Sequence, residues 1–221
     1  MPIVLYKNNG SPLSRAVLMT IEVLKLDIEL VHVNTHNGET RAPEFLEKNP
    51  MHTVPVIEDG KFILSDSHAI ITYLASKYGG EKQAELYPDD LNIRATIDQR
   101  LFFEAAVVFQ KFIPIAVGVF KNRVPGPTPQ QIENTKEVYG MLERYLQKTQ
   151  YIAANNITVA DISVIATVST LDKVVPISDE FPKTIAWFNK LKETEFYKKG
   201  NEPGLAIFTE VYIQTVKQNS S

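Results

Sequence analysis

Val54-Pro55-Val56-Ile57-Glu58-Asp59-Gly60-Lys61-Phe62-Ile63-Leu64-Ser65-Asp66-Ser67 places two short apolar runs on either side of Asp59-Gly60, and ends on a Ser-Asp-Ser cluster. Asp-Gly between such runs is a strong short-range signal for a β-hairpin, because glycine supplies the positive φ of a tight turn. The Ser-Asp-Ser cluster offers side-chain oxygens to cap a helix. Ile70, Ile71, Tyr73, Leu74 and Tyr78 then recur at helical spacing. A β-β-α unit is expected over 54–78.

Upstream, residues 2–6 read as a strand and Asn8-Asn9-Gly10 as a turn. Ser11-Pro12 is a favoured helix opening, with serine as N-cap and proline at the first helical position. Leu13, Val17, Met19, Ile21 and Leu24 continue at roughly helical spacing, and Ile28 to Val33 is a second strand. Pro43 to Leu46 is a short helix ended by Asn49-Pro50. The order β-α-β, α, β-β-α describes a small mixed sheet flanked by helices, the thioredoxin-like arrangement, over residues 1–80. Residues 81–90, polar and turn-rich, read as a linker.

From Leu91 onward only helical periodicity appears. Leu101, Ala105, Val108, Phe112, Ile115 and Val119 form one stripe, and Phe102, Ala106, Phe109 and Ile113 form a second. A helix apolar on two faces is buried between neighbours, and Pro114 is expected to kink it. Further helices are expected over 130–147, after the Thr158-Val159-Ala160-Asp161 capping box, over 181–191 and over 205–216. Ile157 and Ile162 stand where a hydrophobic staple needs them. The fold class is an α/β thioredoxin-like N-terminal domain plus an all-α helical-bundle domain over 91–221.

Composition narrows the function. A 44% apolar and 22% charged chain of 221 residues has the balance of a soluble globular protein. Net charge −3 with no basic stretch argues against nucleic acid or an anionic membrane as partner. The absence of cysteine excludes disulfides, cysteine nucleophiles and thiolate metal sites, and the four histidines lack ligand spacing, so no metal is expected. No 18 consecutive apolar residues occur, and the N-terminus lacks the basic and apolar regions of a signal peptide, so a cytoplasmic location is expected.

Six segments stand out in order along the chain: Asn9-Gly10-Ser11-Pro12 with Arg15; Pro43-Glu44-Phe45; Asn49-Pro50-Met51-His52-Thr53-Val54-Pro55; Ser65-Asp66-Ser67-His68-Ala69-Ile70; Arg100-Leu101-Phe102-Phe103-Glu104; and Thr158 to Asp161. Together they resemble the cytosolic glutathione transferases, closest to the serine-type insect delta and epsilon classes. The stretch from Val175-Pro176 to Trp187 leans toward epsilon. The resemblance implies glutathione as co-substrate, conjugation to small hydrophobic electrophiles, and a homodimer. It also implies a glutathione site built from His52, Thr53, Val54, Pro55, Asp66, Ser67, His68 and Glu104. In that site Val54 pairs with the peptide backbone ahead of a cis proline, Asp66 and Ser67 take the γ-glutamyl end, and His52 takes the glycyl carboxylate. Glu104 helps to reach the ammonium of a glutathione on the partner subunit, or else pairs locally with Arg100. Thr40 stands where relatives carry a second histidine and Thr35 where they carry an apolar residue, leaving Arg41 or His36 to fill the glycyl end.

The sulfur chemistry has a physical basis in these residues. A thiol of pKa ~8.5 is only ~3% ionised at pH 7, whereas one of pKa ~6.5 is ~75% ionised. That shift requires about 2.7 kcal/mol. A hydroxyl hydrogen bond to the charged sulfur supplies roughly 1.5–3 kcal/mol, and a helix N-terminus adds about 0.3–1. Ser11 offers both as the catalytic residue; its plain alternative is a helix cap, and Ser14 is a rival hydroxyl. Leu13, Phe109, Phe112 and Phe208 are expected to line the electrophile pocket beside Ser11. Alternatives are a glutathione-dependent isomerase, dehydrochlorinase or steroid-pathway enzyme, and a non-catalytic carrier of hydrophobic ligands.

Overall fold

A computed structural model describes residues 3–220; Pro2 of the expected first strand lies outside the described residues. Strand β1 (Ile3–Lys7) lies inside a sheet of order β2-β1-β3-β4. It runs parallel to β2 (Ile28–His32), with Leu5 opposite Leu30, and antiparallel to β3 (Val56–Asp59), with Leu5 opposite Ile57. β4 (Phe62–Ser65) returns antiparallel to β3 through Gly60 at φ 66°. A parallel pair needs a crossover, and α1 (Pro12–Leu24) supplies it. β3 begins at Val56 rather than Val54 because Pro55 has no N–H for the ladder and comes after a cis bond.

α1 and α3 (Ser67–Tyr78) contribute Val17, Met19, Ile70, Ile71 and Leu74 to the core around Leu5 and Ile57. A smaller cluster of Val33, Phe45, Val54 and Val56 forms with α2 (Pro43–Lys48). Asp59 ties the hairpin to α3, accepting from Tyr73 Oη and Lys77 Nζ, each at 2.6 Å, and from Tyr78 Oη. The stretch expected as a bare linker is ordered: a 3₁₀ turn at 80–82 leads into α4 (Gln83–Leu86), and Arg94 folds back onto Pro88 O and Asp89.

The helical part comprises α5 (Leu91–Phe103), α6 (Phe109–Phe120), α7 (Pro129–Leu146), α8 (Val159–Asp172), α9 (Pro182–Lys192), α10 (Glu195–Gly200) and α11 (Glu202–Asn219). α10 carries no clear apolar period and gave no signal in the sequence; Thr194 caps it. α5 and α6 are joined by a π-turn at Glu104–Val108, in which Phe109 N–H reaches back to Glu104 O. The interruption thus falls ahead of Pro114, which lies within α6. Although no 18 consecutive residues are apolar, the helical run Leu91–Phe120 is long and apolar enough to cross a bilayer by length and composition. In this fold its Ile97, Leu101, Val108, Phe112, Ile115 and Val119 pack into the bundle core.

α8 is the central helix, with every residue from Val159 to Leu171 buried. Its start is organised by the fully buried carboxylate of Asp161. Thr158 N–H and Oγ1 donate to Oδ2 at 3.0 Å each, while Ile152 N–H and Trp187 Nε1 donate to Oδ1 at 3.0 Å. Burial pushes the Asp161 carboxyl up, against the pull of these donors. Asp161→Ala would orphan several of them, each at a cost of about 1–3 kcal/mol. The variant is expected to lose about 3 kcal/mol or more in urea unfolding, monitored by the fluorescence of Trp187, the single tryptophan.

Candidate active site

Ser11 closes the loop between β1 and α1. Its Oγ accepts from Ser14 N–H at 3.4 Å as the N-cap of α1. The cap uses a lone pair, so the Ser11 O–H remains available to donate; the capping and catalytic readings are compatible. The loop is braced by Ser11 N–H to Asn8 O at 3.1 Å, Gly10 N–H to Asn8 Oδ1 at 3.0 Å and Asn8 Nδ2 to Val33 O at 3.2 Å. Ser14 is fully buried and accepts from Asn8 N–H at 3.3 Å, so its hydroxyl braces the loop from inside.

Ser11 lines a cavity of about 480 Å³ between the two halves of the chain. One side carries His32, Asn34, Thr35 and His36, and the other is an aromatic wall of Phe109, Phe112, Phe120 and Phe208. Phe208 stands edge-on to Phe112 at 5.7 Å and to Phe120 at 6.2 Å between ring centroids. Leu13, expected here, is not among the lining residues, and Pro12 takes its place. Leu13 stands about 100° around α1 from Pro12, and the cavity takes the Pro12 side. Phe120 was legible from the spacing 109, 112, 116, 120, all of which line the wall. His32 and Val211 carried no local signal.

The loop over 49–55 carries His52, Thr53, Val54 and Pro55 of the expected site, and none of them lines the Ser11 cavity. Asn49 is fully buried and organises it: Nδ2 donates to Thr53 O at 2.9 Å, Oδ1 accepts from Met51 N–H at 3.1 Å, and Asn49 O accepts from His52 N–H at 2.9 Å. His52 is thereby held at φ 50°, and Val54-Pro55 is cis. Thr40 is buried in the 3₁₀ turn at 39–41, Arg41 is exposed, and His36 lies on the cavity.

The start of α3 carries Asp66, Ser67 and His68 of the expected site, and Asp66 and His68 line a second cavity with Asp98 and Phe102. Asp66, at φ 75°, caps the helix by accepting from His68 N–H at 2.9 Å and Ala69 N–H at 3.1 Å. Ser67 Oγ is buried with no hydrogen-bond partner. His68 bridges two carboxylates, with Nδ1 3.2 Å from Asp66 Oδ1 and Nε2 2.7 Å from Glu104 Oε2. Glu104 is fully buried and also accepts from the Thr167 hydroxyl. This corrects the expectation of a Glu104 turned toward a partner subunit or toward Arg100. The π-turn carries it inward, while Arg100 donates to Ile152 O at 2.7 Å and lies over the Tyr145 ring. Thr167, 63 residues away in sequence, had no signal. Burial opposes the charge on His68, but hydrogen bonds and attraction from Asp66 and Glu104 prevail and lift its pKa from 6.5 to about 9.

Residues 5–82 match the glutathione S-transferase N-terminal domain, and residues 111–195 match the C-terminal domain. The chain belongs to the glutathione S-transferase family. Glutathione S-transferase 1 of Manduca sexta is 40% identical over 207 residues, covering 92% of this chain and 94% of the relative. An epsilon-class glutathione S-transferase from the housefly, Musca domestica, superposes with a TM-score of 0.92 at 38% identity, covering 98% of each chain. A glutathione transferase homologue from Drosophila mojavensis, solved with bound glutathione, gives 0.91 at 36% identity, covering 99% of this chain and 97% of that one. As a glutathione S-transferase, the chain combines the expected fold with a salt-bridged histidine at the start of α3.

The His68 pKa has a consequence for stability. A raised histidine pKa contributes stability that is complete below the unfolded value of 6.5 and lost as the pH rises through about 9. Two and a half pH units correspond to about 3 kcal/mol. Urea unfolding of the wild type and His68→Gln should differ by about that amount at pH 7, with the gap closing toward pH 10. A gap independent of pH would show that His68 carries no proton-linked stability.

Proposed function

We propose that this chain binds glutathione along Ser11, the cis Val54-Pro55 segment and the start of α3, and conjugates its thiolate to small hydrophobic electrophiles held against the aromatic wall. The observation that carries the reading is the Ser11 hydroxyl, free to donate at the N-terminus of α1 and lining the cavity that Phe109, Phe112 and Phe208 close. The buried, unpartnered Ser67 Oγ at the start of α3 suits a carboxylate ligand such as the γ-glutamyl end, because anions favour helix N-termini. Asp66 is the nearby anion for the glutamyl ammonium, with His68 and Glu104 holding it in place. His52 stands at the glycyl end. His36, on the cavity, is the better substitute for the missing histidine than Arg41, and the burial of Thr40 removes it from that role.

In the reaction the Ser11 O–H donates to the sulfur and stabilises its charged form. The thiolate then attacks the electrophilic carbon as the leaving group departs or the adjacent π-electrons move to an acceptor. Loss of the hydroxyl raises the thiol pKa, so the deficit is largest between the old and new values. Ser11→Ala should lower turnover with an aromatic halide roughly tenfold to a hundredfold near pH 6.5–7 and much less near pH 9. An equal loss at every pH in the pH–rate profile would mean that Ser11 positions the sulfur without activating it.

The working form is a homodimer that buries α5. Leu91 and Phe102 are 80% and 73% exposed, and Phe102 borders Asp66, His68 and Asp98 in a second cavity. Apolar side chains this exposed beside a binding site mark an interaction surface. Light scattering at micromolar concentration should give twice the chain mass, and Phe102→Glu should halve it. A wild type at the single-chain mass would refute the dimer.

A further inference from the structure

Arg15 lies one turn along α1 from Ser11 and is fully buried. Its partners are neutral. Nη1 donates to Asn201 Oδ1 and, at 3.5 Å, to Ser169 Oγ; Nη2 donates to Thr170 Oγ1; Nε has no partner. Asn201 Nδ2 in turn donates to Ser169 Oγ at 3.1 Å. α8 presents hydroxyls to the guanidinium, α10 presents Tyr197, and Asn201 stands just ahead of α11, while Glu202 acts on Tyr197. Among the described residues no carboxylate bonds to Arg15. A buried arginine is normally paired with an acid, since an unpaired buried charge is costly. Burial pulls its pKa down to about 9, which leaves it charged at neutral pH.

The Ser11 loop and the stem of this arginine meet at Gly204. At Gly204 an added Cβ would overlap the Asn9 carbonyl oxygen and come within 2.7 Å of Arg15 Cδ, so α11 presses the loop against the arginine stem. Lys7, buried at the end of β1, donates to Asn9 Oδ1 at 2.6 Å from the other flank. The loop that carries the sulfur-binding hydroxyl therefore has two buried cations around it.

We propose that Arg15 is a remote electrostatic group for thiol activation: its positive charge, left uncancelled by neutral partners beneath the Ser11 loop, lowers the pKa of a thiol bound at Ser11 without touching it. A carboxylate partner would stabilise the fold better but would cancel the field at the sulfur. Asn, Ser and Thr satisfy the guanidinium and leave the field in place, and the protein interior screens it weakly. The inference rests on Ser11 holding the sulfur of glutathione.

Asn201→Asp tests it by neutralising Arg15 without removing it. The new carboxylate meets the guanidinium, can accept from Ser169 once that hydroxyl turns away from Ala166 O, and stands at the start of α11, where an anion is favoured. Thiolate absorbance of bound glutathione, titrated with pH, should show the thiol pKa raised by about half to one unit. Turnover at pH 6.5 should fall about two- to fivefold and recover near pH 9, with the melting temperature unchanged or higher. Asn201→Ser changes the same position without adding a charge and should leave the thiol pKa within about 0.3 unit of wild type, even with a lower melting temperature. A wild-type thiol pKa below that of free glutathione that Asn201→Asp leaves unmoved overturns the inference alone. So does an Asn201→Ser shift as large as that of Asn201→Asp. A wild-type bound thiol titrating at the free-peptide value overturns both the inference and the reading of Ser11.

Discussion

α1 is buried on two sides, and the rest of the molecule depends on that. Toward the sheet it contributes Val17 and Met19 to a core shared with Leu5, Ile57 and Ile70. On another side it meets α8 and α10, where a Cβ added at Gly200 would stand only 2.7 Å from Met19 N. No side chain fits there, so helix and backbone meet directly. One continuous apolar core then spans the thioredoxin-like and helical parts. Ser11, at the N-terminus of this doubly held helix, sits at the mouth between them.

The same seam is crossed by polar contacts that are costly to break. His68 on α3 reaches Glu104 at the π-turn, and Thr167 on α8 completes the carboxylate. A π-turn adds one residue to the helical repeat and rotates the helix downstream of it. Here it turns Glu104 toward His68 and sends Phe109 and Phe112 to the cavity wall. One local departure from α-helical geometry thus serves both halves of the site. It stabilises the start of α3, where the glutamyl end of glutathione would lie, and it shapes the apolar side for the electrophile.

Local and distant interactions divide the candidate site in a regular way. Ser11 as N-cap, Asp66 as N-cap and Thr158 with Asp161 as a capping box depend on backbone groups within three residues, so their identity and spacing were legible. The cis Val54-Pro55 bond was expected from family resemblance, and the helical spacing of Phe109, Phe112 and Phe120 could be counted along one helix. Leu13 failed as a pocket residue because helical rotation, which spacing alone does not orient in space, turns Pro12 inward instead.

The sequence by itself determined the order of the strands and of the longer helices, the two-part architecture, the family, and the hydroxyl and carboxylate residues available for chemistry. Those features are written in turn residues, caps and periodicities, which act over a few positions. Only the tertiary structure decided that Glu104 is buried against His68 and Thr167, that Thr40 is withdrawn while His36 meets the cavity, and that Arg15 bonds only to neutral side chains among the described residues. Each of these joins residues from about 25 to more than 180 positions apart, or depends on which way a side chain faces. Such contacts are set by how helices pack against the sheet and against one another, and no local pattern in the chain encodes them.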